Sequence, residues 1–79
     1  MKIYHYNGKA NIVGEQIYKL RKQHKLSQED LAAKMQLNGI EITQKVISRI
    51  EKQERFVTDY ELLVFSQVLG VSIYDLLKP

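Results

Sequence analysis

Between Thr43 and Lys52 the chain reads Thr-Gln-Lys-Val-Ile-Ser-Arg-Ile-Glu-Lys, which sorts two kinds of side chain at helical spacing. At about 3.6 residues per turn, Val46, Ile47 and Ile50 share one side. Gln44, Lys45, Ser48, Arg49 and Lys52 form a continuous arc on the other. The arc carries an amide, a hydroxyl and three cations, and no carboxylate. Such a set suits an anionic polymer with hydrogen-bonding edges. A glutamine amide bonds adenine at two points, arginine and lysine bond guanine, and serine adapts to either. A helix fits the width of the major groove, where its first residues, here Thr43, Gln44 and Lys45, would point at base edges. Any exposed helix face is polar, so the arc alone leaves a merely solvated face as an open alternative.

Positioning the arc takes a scaffold of short helices. Asn11 is placed to cap a first helix over 12–24, with Val13, Ile17, Leu20 and His24 on one face and Lys19 and Lys22 pointing away. Ser27 before Gln28-Glu29-Asp30 marks a second start: a side-chain acceptor at the cap and acids in the first turn. Asp30 at the third position makes a near capping box. This second helix, 28–35, buries Leu31, Ala32 and Met35. Residues 36–42, with Asn38-Gly39, read as a loop. Thr43 then caps the third helix, 44–52, and a second loop fills 53–58. From Thr58 or Asp59, Leu62, Phe65, Ser66 and Leu69 follow helical spacing to Gly70, a C-cap residue. Ser72 caps a last helix, 73–78, returning Leu76 and Leu77 to the core. Val64 and Val68, with Tyr60 nearby, lie opposite the main stripe of the fourth helix and call for a cover. Ile3, Tyr4 and Tyr6 are strand-like, and Asn7-Gly8 is a turn signal, so residues 1–11 read as a short extended arm or a frayed tail. That arm, or a second subunit, would cover the valines. The expected fold is an all-α, compact five-helix bundle over residues 12–79 behind an N-terminal arm, with no internal repeat.

Composition narrows the function classes. The 79 residues suffice for one small core. Twelve Lys and Arg against nine Asp and Glu give a net charge of +3, which permits an acidic partner without demanding one. Five of the seven residues from Lys19 to Lys25 are Lys, Arg or His. The absence of cysteine excludes a disulfide scaffold and thiolate metal sites. No apolar run approaches the ~20 residues of a membrane span, and the first residues lack a signal-peptide stretch; a cytoplasmic protein is expected. His5 and His24 have no metal-ligand spacing with carboxylates, and there is no nucleophile constellation or glycine-rich phosphate loop. The expectation is a non-enzyme without cofactor or metal. His24, closing the first helix, suits its dipole.

Five blocks in order then carry a family resemblance. They are Gly14 to Arg21, Leu26-Ser27-Gln28-Glu29-Asp30-Leu31-Ala32, Val46-Ile47-Ser48-Arg49-Ile50-Glu51, Leu62 to Ser72, and Tyr74-Asp75-Leu76-Leu77. From Val13 to Leu77 the chain resembles the Cro and phage-repressor type of helix-turn-helix protein, the XRE family. The resemblance implies DNA binding. It implies base-reading positions at Gln44, Lys45, Ser48 and Arg49. Phosphate contacts would come from Gln28, Thr43, Lys52 and Arg55, Thr43 and Ser48 matching either role. Gln28 would sit at a helix N-terminus, whose free N–H groups suit an anion. It also implies a buried ion pair between Arg21 and Glu51, leaving Arg21 as scaffold.

Two departures stand out. The family's glycine after its second helix is Gln36 here, followed by about five extra residues, Asn38-Gly39-Ile40-Glu41-Ile42, so the turn is enlarged. Ile40 and Ile42 alternate and are placed to pack under it. The glycine two residues after the third-helix Glu is Gln53. The expected partners are double-stranded DNA and a second copy forming a homodimer, with no membrane. The expected action is repression by occluding a promoter. An antitoxin-type or protein-interaction module on the same fold, with a protein partner, is the alternative.

Overall fold

Ser27 sets where the second helix begins. Its hydroxyl accepts from the Asp30 N–H at 2.9 Å, and the Asp30 carboxylate accepts from the Ser27 N–H at 3.0 Å. Two of the N–H groups that a helix start leaves without partners are satisfied in this way. The same reciprocal pair recurs as Thr58 with Glu61 and Ser72 with Asp75. In a computed structural model, which describes residues 5–78, five helices follow: α1 Gly14–Gln23, α2 Gln28–Leu37, α3 Gln44–Glu51, α4 Asp59–Leu69 and α5 Ile73–Leu77. No helix among the described residues is long and apolar enough to cross a membrane. The five-helix, all-α architecture is the one expected.

Local differences have local causes. Asn11 does not occupy the cap position of α1, which falls at Val13. It still accepts from the Gly14 N–H through Oδ1 at 2.8 Å, reaching the helix start from further upstream. The second helix runs two residues beyond the expected end, because Gln36 and Leu37 continue it. Asn38 and Gly39 then turn the chain, Gly39 with φ of +83°. Gln36 Nε2 donates to the Ile42 carbonyl at 2.9 Å. Ile42 is fully buried and Ile40 packs partly against the core, so the enlarged turn is pegged to the interior.

The core gathers Ile17, Leu31, Met35, Ile42, Ile47, Ile50, Phe65, Leu69 and Leu76, all fully buried. Helix α4 is packed by α1, α2 and α5. An element wrapped on several sides buries more than one stripe, and this corrects the reading of its valines. Val64 is a core residue and Val68 is half-buried against the core; neither needs a cover. The apolar side chains that α4 exposes are Tyr60 and Leu63. Leu77 does not return to the core: it is 41% exposed. Val46, on the same side of its helix as Ile47 and Ile50, is half-buried against the core.

The expected arm is partly described. Asn7 (φ +52°) and Gly8 (φ +78°) form a two-residue turn, closed by backbone hydrogen bonds in both directions between Tyr6 and Lys9. Positive φ at both central residues is the hairpin type that Asn-Gly favours. Tyr6 is 67% exposed, and the cover expected from Ile3 and Tyr4 lies outside the described residues.

Gly14 is where α1 meets the end of α3. A Cβ built on it would lie inside van der Waals contact with the Ile50 carbonyl oxygen, a backbone atom that cannot rotate away. Gly14→Ala is therefore expected to destabilise by roughly 1–3 kcal/mol, as overpacking does, although alanine favours helix. Urea unfolding of the two proteins measures the difference; equal midpoints would show that the contact relaxes freely.

Candidate nucleic-acid interface

Helix α3 is capped by Thr43, whose Oγ1 accepts from the Val46 N–H at 3.3 Å. The side chains of Ile47 and Ile50 are buried. Thr43, Gln44, Lys45, Arg49 and the C-cap residue Lys52 are exposed, and Ser48 is half-buried. No acid lies in the first turn of α3. The residues of this face are exposed beside the enlarged turn, whose Ile42 is buried and whose Ile40 is half-buried.

Behind that face stands a buried ion pair. Arg21 Nε donates to Glu51 Oε2 at 2.6 Å and Nη2 donates to Oε1 at 3.0 Å, with side-chain exposures of 7% and 6%. Arg21 Nη1 also donates to the Leu26 carbonyl at 2.8 Å. The hydrogen bond to Glu51 raises the Arg21 pKa against the opposing effect of burial, so the guanidinium stays charged. This fork-on-carboxylate geometry ties α1 to α3 and holds the chain that leads into α2.

The ion pair continues outward. Gln28 Nε2 donates to Glu51 Oε1 at 3.0 Å, and Gln44 Nε2 donates to Gln28 Oε1 at 2.6 Å. The structure thus brings the first residue of α2 and the first residue of α3 into direct contact, with Glu51 beneath them. A shallow depression of about 620 Å³ lies alongside, lined by Arg21, Lys22, Lys25, Leu26, Ser27, Gln28, Glu29 and Gln44. Lys22 and Lys25, both exposed, set two cations beside the N-terminus of α2. No individual role was read for them from sequence; the signal was the run of cations from Lys19 to Lys25.

Arg55 is held by a carboxylate. Its Nη1 and Nη2 donate to the two Glu61 oxygens at 2.9 and 3.2 Å, and Nη1 also donates to the Phe56 carbonyl at 3.0 Å. Burial alone would push the Glu61 carboxyl up. The hydrogen bonds from Arg55 and the Thr58 backbone, with the Arg55 charge, outweigh it and hold the group below the usual glutamate range. Arg55 thereby braces the start of α4, while its side chain remains about one-quarter exposed.

Gln53, at the position where the resemblance implies glycine, adopts φ of +62°. The left-handed conformation costs a non-glycine residue roughly 1–2 kcal/mol. Here Gln53 Nε2 donates to the Asn11 carbonyl at 3.2 Å, and the Gln53 carbonyl accepts from Ala10 at 3.0 Å. Asn11 Nδ2 in turn donates to the carbonyls of Ile50 and Arg55 at 3.1 and 2.8 Å. The end of α3 keeps its glycine-like turn.

Two helices joined by a turn, the second presenting an acid-free polar face beside the N-terminus of the first, is the arrangement on which a family comparison bears. A helix-turn-helix family model matches residues 17–76, about three-quarters of the chain. The chain belongs to the XRE type of helix-turn-helix family. No curated protein matches it. In this helix-turn-helix protein α2 and α3 are the two named helices, and the family is one of DNA-binding transcriptional regulators.

Proposed function

We propose that this helix-turn-helix protein binds duplex DNA in a sequence-specific way, reading the major groove with α3 and repressing transcription by occlusion. The observation that carries the reading is the exposed, acid-free face of Gln44, Lys45 and Arg49 next to the N-terminus of α2, beside which Lys22 and Lys25 stand. Gln44, Lys45, Ser48 and Arg49 read bases. Gln28, Thr43 and Lys52 contact phosphates, joined by Lys22 and Lys25, where the N–H groups and dipole of α2 favour an anion. Arg55, engaged by Glu61, serves the scaffold and leaves the contact set. One such module makes few contacts, so two copies on a two-fold site supply the missing affinity. Half-sites lie ~34 Å apart along the duplex, and a protomer with a longest extent of 31 Å fits that spacing side by side. In the antitoxin-type alternative a partner protein would meet Tyr60 and Leu63, which α4 exposes away from the core.

Selection of bound duplexes from a random pool tests the reading. The expected result is one enriched motif with two-fold symmetry. Its affinity should fall with salt with a log–log slope of about −0.9 per phosphate neutralised. A pool that stays random after repeated rounds, with the protein folded, overturns sequence-specific binding and leaves the protein-partner alternative.

A further inference from the structure

We propose that Asn7 is a site of self-modification: it loses its side-chain amide to attack by the Gly8 nitrogen, leaving aspartate and isoaspartate, while the fold shields Asn38, which heads the same dipeptide.

Asparagine followed by glycine carries its own nucleophile. The nitrogen of the next peptide lies within a rotation of the side-chain carbonyl carbon, and glycine has no Cβ to block the approach. The chain has two such steps, Asn7-Gly8 and Asn38-Gly39. Exposure does not separate them. All four residues are exposed, and both glycines have open space where a Cβ would sit. Hydrogen bonding separates them.

At Asn38 both reacting groups are held. Its Nδ2, the atom that would leave, donates to the Lys34 carbonyl at 2.9 Å, so the side chain reaches back along α2 and away from the peptide that follows. The Gly39 nitrogen, the atom that would attack, donates to the Gln36 carbonyl at 3.0 Å. At Asn7 neither the side-chain amide nor the Gly8 N–H is bonded to another described residue. Asn7 also holds φ of +52°, a region that a side chain disfavours. Its turn is closed by the two backbone hydrogen bonds between Tyr6 and Lys9. The rotation that ring closure needs leaves that region and disturbs little else.

The step balances with water alone. The Gly8 nitrogen bonds to Asn7 Cγ and gives up its proton; the Cγ–Nδ2 bond breaks, and ammonia leaves with that proton. Water then opens the cyclic imide. Cleavage between the nitrogen and Cγ gives aspartate on an unchanged main chain. Cleavage between the nitrogen and the main-chain carbonyl carbon gives isoaspartate, whose main chain runs through Cβ and Cγ and is longer by an atom. Either product sets a carboxylate in a depression that residue 7 lines with Lys9, Glu15 and Lys19. The isoaspartyl form also lengthens a tight hairpin loop whose length selects its turn, so the pairing of Tyr6 with Lys9 is lost in it.

Peptide mapping by mass spectrometry tests this on the folded protein, incubated in mildly alkaline buffer, with chromatography to part aspartyl from isoaspartyl peptides. Asn7 is expected to convert about tenfold faster than Asn38 or more, because at Asn38 two hydrogen bonds, each worth on the order of fivefold, have to open first. An Asn7 that keeps its amide overturns the proposal, and so do equal rates at the two sites. In guanidinium chloride, which removes the fold, the two rates are expected to come within a few-fold of each other. A gap that persists there lies in local sequence and overturns the assignment to structure. Asn7→Gln, whose longer side chain would have to close a larger ring, is expected to keep its amide through the same incubation. Loss at the wild-type rate would mean that the Gly8 nitrogen is not the nucleophile, and overturns the route. In aged wild type, the Tyr6 and Lys9 amide protons are expected to lose protection from exchange in step with the isoaspartyl fraction; protection that survives conversion overturns the loss of the turn.

Discussion

Arg21→Met is expected to destabilise the protein by roughly 3–5 kcal/mol, the cost of leaving one member of a buried ion pair without its partner. The arrangement supports the upper part of that range. Glu51 is 6% exposed at its side chain and loses two hydrogen bonds at once, while the Leu26 carbonyl loses its donor. Among the described residues, Gln28 is the one polar side chain left bonded to the Glu51 charge. Domains of this size hold about 5–15 kcal/mol in total, and each kcal/mol moves the melting point by about 4–8 °C. Thermal unfolding should therefore shift by tens of degrees. The double variant Arg21→Met with Glu51→Leu is expected to recover most of the loss, because an apolar pair of similar volume often equals or exceeds a buried ion pair in stability. If Arg21→Met melts within a few degrees of wild type, water reaches Glu51 and the pair is not buried in solution.

The second large effect is on recognition. Gln44→Ala with Lys45→Ala is expected to lower affinity for the selected motif by a factor on the order of 10²–10⁴, since each bidentate base contact carries roughly 1–3 kcal/mol. Binding to random duplex should change far less, because Lys22, Lys25 and Lys52 remain. Stability should hold within about 0.5 kcal/mol: both residues are exposed and alanine is the strongest helix former. Fluorescence titrations with matched and random duplexes, beside a melting curve, separate these terms. A double variant that still enriches the same motif removes base reading from the first turn of α3.

Parts of this were legible in the chain and parts were not, for reasons of range. Ser27 and Thr43 announce their helices because a cap and its N–H partner lie within three residues. The arc on α3 is a property of one helix, so its exposed residues emerge from periodicity alone. Val64 was misplaced because a wheel assumes one buried side, and only the packing of α1, α2 and α5 around α4 shows otherwise. The Gln28–Gln44 contact depends on how two helices cross after a turn of unusual length, and no local pattern encodes that. Arg55 illustrates the remaining case. Its cation looks like any exposed charge until Glu61, fixed by its own capping box with Thr58, is seen to face it. Thr58-x-x-Glu61 was a signal at hand, since the capping box places that carboxylate at the helix start.

The clasp made by Asn11 has a consequence for cooperativity. The last carbonyls of α3 and the loop after it find their donors in a segment about forty positions upstream, while Gln53 returns a bond to that segment. Neither stretch can come loose without stripping the other of partners, so the start of the chain and the exit of α3 should open as one unit. Amide protons at Ala10, Gly14 and Gln53 would then report a single opening free energy, distant in order along the polypeptide yet bound to the same event.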